Sequence, residues 1–173
     1  MQKLNLITRG FLCLFASFIS FTTIAQVVIS TTATAYTQNF NTLKATAGTS
    51  TVLPTGWKLL ETGTNANTSY TTDAGSSTTG DTYSYGTGTA TERAFGSLRS
   101  GSLVSVLGVQ IRNSTGQTIN SLTISYTGEQ WRCGTAGRTD QLDFQYSLNA
   151  TSLATGTWVD HNALDFVSPA TAT

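Results

Sequence analysis

Seven residues with chemical potential fall close together: Glu129, Trp131, Arg132, Cys133, Arg138, Asp140 and Asp143. They stand out because only 10% of the chain is charged. Three readings suit those types at that spacing. An exposed Trp131 could stack on the apolar face of a sugar while Glu129, Arg132 and Asp143 bind its hydroxyls. Glu129 and Asp143 could instead lend oxygens to a Ca²⁺ ion, which takes roughly six to eight of them. In the third reading the charges are the solvated face of a hairpin, balanced by arginines, and Trp131 is a core residue.

Any of these requires strands to position the groups. In "SLTISYTGEQWR", Leu122, Ile124 and Tyr126 alternate with Thr123, Ser125 and Thr127. In "DQLDFQYSL", Leu142, Phe144, Tyr146 and Leu148 alternate with Asp143, Gln145 and Ser147. Such alternation predicts two half-buried strands, here joined by a loop over 133–139. Aligning the apolar faces sets Arg132 opposite Asp140, Trp131 opposite Gln141 and Glu129 opposite Asp143, and a one-residue slip would invert the faces. Arg132–Asp140 is then a rim ion pair worth about 0–1 kcal/mol. Glu129 beside Asp143 would repel, so Arg138, Arg93, Arg99 or a Ca²⁺ ion should offset it.

Catalytic constellations are poorly represented, and a non-enzyme is expected. His161 is the only histidine, so any Ser-His-Asp or Cys-His arrangement must use it, and no G-x-S-x-G elbow is present. Cys133, His161 and Asp160 are the one thiol-based set on paper. A zinc site lacks His and Cys ligands. A glycosidase would need a facing pair drawn from Glu61, Glu92, Glu129 and the aspartates. "GTGTAT" (86–91) lacks the strand-to-helix setting of a phosphate loop and reads as a turn.

The rest of the chain is punctuated in the same manner. Residues 26–38 are a first strand or a lead-in. Phe40 and Leu43 are anchors, Pro54-Thr55-Gly56 a turn, and "WKLLE" the start of a strand. Residues 62–91 read as a long loop with one strand at about 81–86. "ERAFGSL" (92–98) is a short strand. "SLVSVLGVQIRN" places Leu103, Ser105, Leu107, Val109 and Ile111 on one face, and 156–166 forms a last strand, bulged near Asn162. Trp57 and Trp158 are expected in the core. The fold class predicted is all-β, an antiparallel β-sandwich of jelly-roll type.

Bulk properties bound the rest. Lys3 and Arg9 precede the apolar "FLCLFASFISFTTI", and Thr23 and Ala25 sit at the −3 and −1 positions before Gln26. This is the pattern of a secretory signal peptide over 1–25, too short an apolar run for a transmembrane segment. It predicts a secreted or cell-surface protein. Residues 26–173 then form a single β-sandwich domain, with seven basic and nine acidic residues, which argues against a nucleic-acid partner. Cys133 is left without an intrachain partner and is expected to be buried. The 34 threonines favour solvent-facing strands. "DFVSPATAT" stops in a loop-like stretch, so the sandwich is expected to be incomplete at its C-terminal end.

In order along the chain, "FNTL", "LPTGW", "TGEQWR" and "LDFQYSLNATSLATGTWVD" resemble the jelly-roll-like β-sandwich modules of large secreted bacterial surface proteins, of adhesin or type IX-secreted type. The resemblance runs from about Phe40 to Phe166. It implies a non-catalytic β-sandwich attached to downstream domains of the same polypeptide; with the Trp131 reading, the expected role is a binding or spacer module with a polysaccharide or cell-surface glycan as partner. It leaves two alternatives: an accessory domain of an extracellular nuclease- or phosphatase-type hydrolase whose catalytic part follows Thr173, and a purely structural adhesin repeat.

Overall fold

The structure is a computed structural model that describes residues 25–172. All but the last residue of the expected signal peptide lie outside the described residues. Among the described residues there is no α-helix, and the protein is all-β. The first eight strands are β1 (Val27–Ile29), β2 (Thr49–Ser50), β3 (Trp57–Thr62), β4 (Tyr70–Asp73), β5 (Asp81–Tyr85), β6 (Ala94–Leu98), β7 (Val104–Val109) and β8 (Ile111–Asn113). Four two-residue strands follow: β9 (Gln141–Leu142), β10 (Gln145–Tyr146), β11 (Val159–Asp160) and β12 (Phe166–Val167).

The largest sheet has the order β2-β4-β5-β6. Its β4–β5 ladder is parallel and the other two are antiparallel. Strands β3 and β7 form the longest antiparallel ladder, from Trp57↔Val109 to Thr62↔Val104. This pair packs on the large sheet through β7, which lies against β5 and β6. Strand β1 runs parallel to β8. The late strands make two small antiparallel pairs, β9–β12 and β10–β11.

Strand β5 is the centre of the core and is buried on both faces. Tyr83 and Tyr85 point one way, Thr82 and Ser84 the other, and all four are buried. The hydroxyl face is served by two ionisable side chains drawn inside. Glu61 on β3 accepts hydrogen bonds from Thr82 N (2.9 Å), Thr82 Oγ1 (2.7 Å) and Asn67 N (2.9 Å). Arg93, 2% exposed, donates from Nε to Ser84 Oγ at 2.9 Å and from Nη2 to the Ser84 carbonyl. Burial lowers the pKa of its guanidinium. Buried polar groups persist when partnered, and these tie β5 to β3 and to the segment before β6. Phe40, Trp57, Phe95 and Tyr70 form an edge-on aromatic cluster beside them.

Several sequence expectations hold. Strands occur at "WKLLE", at 81–85 and within 92–98, and Leu43 is a buried anchor. Alternation along β7 is as read, with Val104 and Val106 exposed and Leu103 buried. It fails at Ile111, which is exposed, because the chain breaks after Val109 and starts a new strand on β1. The supposed loop over 62–91 also contains β4, and its Tyr70 is a core residue. Trp57 and Trp158 are half-buried rather than core. Instead of a bulged strand near Asn162 there is a 3₁₀ turn, Asn162–Leu164.

The main correction concerns the hairpin. Residues 118–134 form no ladder, and the pairing of 129 with 143 and of 132 with 140 does not exist. Strand β9 pairs with β12 and β10 with β11, so the local partner is displaced by a distant one. Asp165 supports that choice. It accepts from Phe144 N at 2.7 Å and Gln141 Nε2 at 2.9 Å, pinning the β9–β10 stretch to the 3₁₀ turn.

Candidate functional site

Three aromatic rings, two of them buried, and a capped loop make up the most organised cluster outside the hydroxyl face of β5. Tyr83 and Tyr85 lie side by side on one face of β5, with centroids 5.2 Å apart. Trp131 stacks on Tyr85 at 5.8 Å and 9°. The indole is half-buried: one face is covered by the phenol and its Nε1 donates to Glu129 Oε2 at 2.8 Å.

The loop after β4 holds this arrangement. Asp73 accepts from Gly75 N (2.7 Å), Ser76 Oγ (3.1 Å) and Ser77 N (3.2 Å), closing a tight Asx-type turn. Gly75 sits at φ +87°, and a Cβ there would overlap the Trp131 carbonyl oxygen. Only glycine lets the backbone of residue 131 come so close. Arg132 then donates from Nη1 to the Ser76 carbonyl at 3.2 Å. Tyr83 completes the frame, donating to the Thr79 carbonyl at 2.7 Å and sharing a 2.8 Å bond with Ser77 Oγ.

Electrostatics follow burial. The Tyr85 phenol is held far above its ordinary value, first by desolvation, then by Tyr83, Asp73 and Asp81, with Arg132 opposing. Tyr83 is raised for the same leading reason, moderated by its Ser77 bond. The two phenols are therefore uncharged at neutral pH, and with Trp131 they form an aromatic ledge flanked by Glu129 and Arg132.

Of the four residues expected at a ligand site, the structure brings together Glu129, Trp131 and Arg132. It leaves out Asp143, which bonds Gln141 Nε2 at 2.7 Å and belongs to the β9–β12 region. The expected Ca²⁺ set does not fit. With the hairpin register absent, Glu129 and Asp143 lie in separate hydrogen-bond networks, and no group of three or more His, Cys, Asp or Glu side chains converges among the described residues. Arg138 pairs with Asp140 at 2.8 Å, a partner expected for Arg132. Cys133 is half-buried, not core, with Sγ 3.6 Å from the Thr135 carbonyl oxygen. His161 is exposed at the start of the 3₁₀ turn.

Sequence reasoning missed Tyr83, Tyr85 and Asp73 as site residues. The signal was present in "DTYSY", whose tyrosines alternate with small hydroxyls, but the threonine- and glycine-rich surroundings read as loop.

No protein-family model matches the chain, and no curated protein or solved structure is significantly similar to it. No helix among the described residues is long and apolar enough to cross a membrane.

Proposed function

We propose that the chain is a non-catalytic extracellular module of a larger secreted or cell-surface bacterial protein, built on a jelly-roll-like sandwich, and that its ligand is a polysaccharide. The observation that carries the ligand assignment is the Trp131 platform. An indole backed by a buried phenol and tethered at Nε1 is rigid before any ligand arrives, so little side-chain entropy is lost on binding. The half-buried indole suits the apolar face of a sugar ring, and Glu129 and Arg132 beside it supply an acceptor and donors for hydroxyls.

A spacer role is favoured by one specific contact. The overlap that Gly75 avoids shows that the residue 131 backbone also fastens the 129–132 segment to the loop after β4. Calorimetric titration with cellohexaose, laminarihexaose, chitohexaose and mannohexaose separates the two. The polysaccharide reading expects saturable binding to one of these, lost in Trp131→Ala and kept in Trp131→Phe. No binding to any, with only a loss of stability in Trp131→Ala, makes Trp131 a structural clamp and the module a spacer.

A further inference from the structure

A groove beside the late strands has a different character. Its volume is about 300 Å³, and it lies between residues 124–128 and the stretch 163–166. Ile124, Tyr126, Gly128, Leu164, Asp165 and Phe166 line it. The tyrosine is fixed, its hydroxyl bonded to the Leu164 carbonyl and its ring stacked on Phe144 at 6.4 Å. A Cβ on Gly128 would overlap the Phe166 ring, so the glycine lets the segment approach that ring closely.

Three observations specify an occupant. First, none of the backbone N–H and C=O groups of 118–129 hydrogen-bonds any described residue. Backbone groups without partners are free to pair with an incoming strand. Second, the segment keeps its alternation with the apolar set uncovered: Leu122, Ile124 and Tyr126 are all exposed. From Ser114 to Gly128 it contains no charge and no proline, the devices that normally protect an edge. Third, the part of the sequence that supplies the groove is acidic. Residues 119–172 contain two arginines against five carboxylates. Arg138–Asp140 is the only ion pair among the described residues, so Asp165 in the groove is uncompensated by a cation.

We propose that this groove is a β-augmentation site for an extended peptide strand of another polypeptide, with alternating β-branched residues and a Lys or Arg placed against Asp165. Backbone pairing supplies affinity and the side-chain pockets supply selectivity. The acidic setting favours a basic strand over an acidic one. The groove shares no lining residue with the Trp131 ledge, so failure of either assignment leaves the other standing.

The test uses the full chain and a fluorescently labelled, capped peptide, Lys-Thr-Val-Thr-Val-Thr-Lys, read by anisotropy. The expected result is saturable binding that weakens about tenfold when both lysines become Glu, which corresponds to about 1.4 kcal/mol. N-methylation of alternate peptide amides on one edge should abolish it. Ser125→Pro removes an amide that bonds nothing in the fold, so it should weaken binding at least about fivefold while the thermal midpoint stays within about 2 °C. Binding indifferent to both N-methylation and Ser125→Pro overturns strand addition. So does the absence of binding up to about 1 mM peptide, the weak end of specific association. A dimer of this chain that dissociates in Ser125→Pro and excludes the peptide would also overturn it, since a second copy would then be the occupant.

Discussion

Glu61 offers the sharpest test of how this core is held. The side chain is 6% exposed, and its two oxygens receive three donors. Oε1 takes Thr82 N and Thr82 Oγ1, and Oε2 takes Asn67 N. A hydrogen bond to a charged group is worth roughly 1.5–3 kcal/mol net, but two of the donors have a second partner. Thr82 N also reaches Asp81 Oδ1 at 2.9 Å, and Thr82 Oγ1 reaches Ser105 Oγ at 3.0 Å. Only Asn67 N depends on Glu61 alone. Glu61→Ala should therefore cost about 2–4 kcal/mol, less than three full charged bonds and more than one. Glu61→Gln keeps the shape but sets an NH₂ against a donor whichever way the amide turns. The lesser conflict is with Asn67 N, so the cost should be about 1–2 kcal/mol. Urea denaturation followed by tryptophan fluorescence measures both, read from midpoints at constant m. A shift below about 0.5 kcal/mol for Glu61→Ala would refute the view that this carboxylate joins β3 to β5, since that is the range of an ordinary surface change. A Gln variant as damaged as the Ala variant would mean that charge, rather than geometry, carries the contact.

Other outcomes follow from the ledge. Gly75→Ala forces a Cβ into the Trp131 carbonyl at a left-handed φ and should cost about 1–3 kcal/mol. Native tryptophan emission should shift to the red as the 131–132 segment lifts, and an unchanged spectrum and midpoint would count against the docking contact. The raised phenols of Tyr85 and Tyr83 make stability depend on alkaline pH. The fold holds these protons more tightly than the unfolded chain does. Their contribution is thus complete below about pH 10, the unfolded value, and is lost as pH rises toward the folded values. In absorbance titrations at 295 nm, Tyr85→Phe should remove signal only well above pH ~10 and should raise the pH at which the protein unfolds. Loss of signal already near pH ~10 would show that the Tyr85 phenol is not buried as described.

The sequence was legible where local pattern and tertiary partner agree. Strand β7 alternates, has a six-residue partner in β3, and is placed correctly from Leu103 to Val109. Strands β3, β5 and β6 were readable for the same reason. The β4 strand was not, because "YTTD" between serine, glycine and asparagine has no apolar alternation. It is a strand because Asp81 and Glu61 organise its surroundings. Thr71 Oγ1 donates to Asp81 Oδ2 at 2.7 Å, and the β4–β5 ladder is parallel, a pairing no turn signal announces. Polar residues carry β5 for a related reason. Thr82 and Ser84 carry no apolar signal, yet both are buried against Glu61 and Arg93, partners 21 and nine residues away in sequence.

The candidate site was half legible, and the reason lies in how strands choose partners. Period-2 alternation tells which side chains share a face but not which strand lies alongside. Over 121–148, Glu129, Trp131 and Arg132 stay near one another as neighbours in sequence, although alternation set Arg132 on the opposite face. It placed Asp143 wrongly because that residue's position rests on the cross-strand partner, and β9 pairs with β12. The same failure explains the exposed Leu122, Ile124 and Tyr126. Their pattern is that of a strand with one apolar face, while no described strand pairs with that segment. Pattern and pairing agree throughout the β3–β7 half, where the core closes. They disagree over 118–129, and a segment patterned as a strand but left without a ladder is where the chain has most to gain by binding another strand.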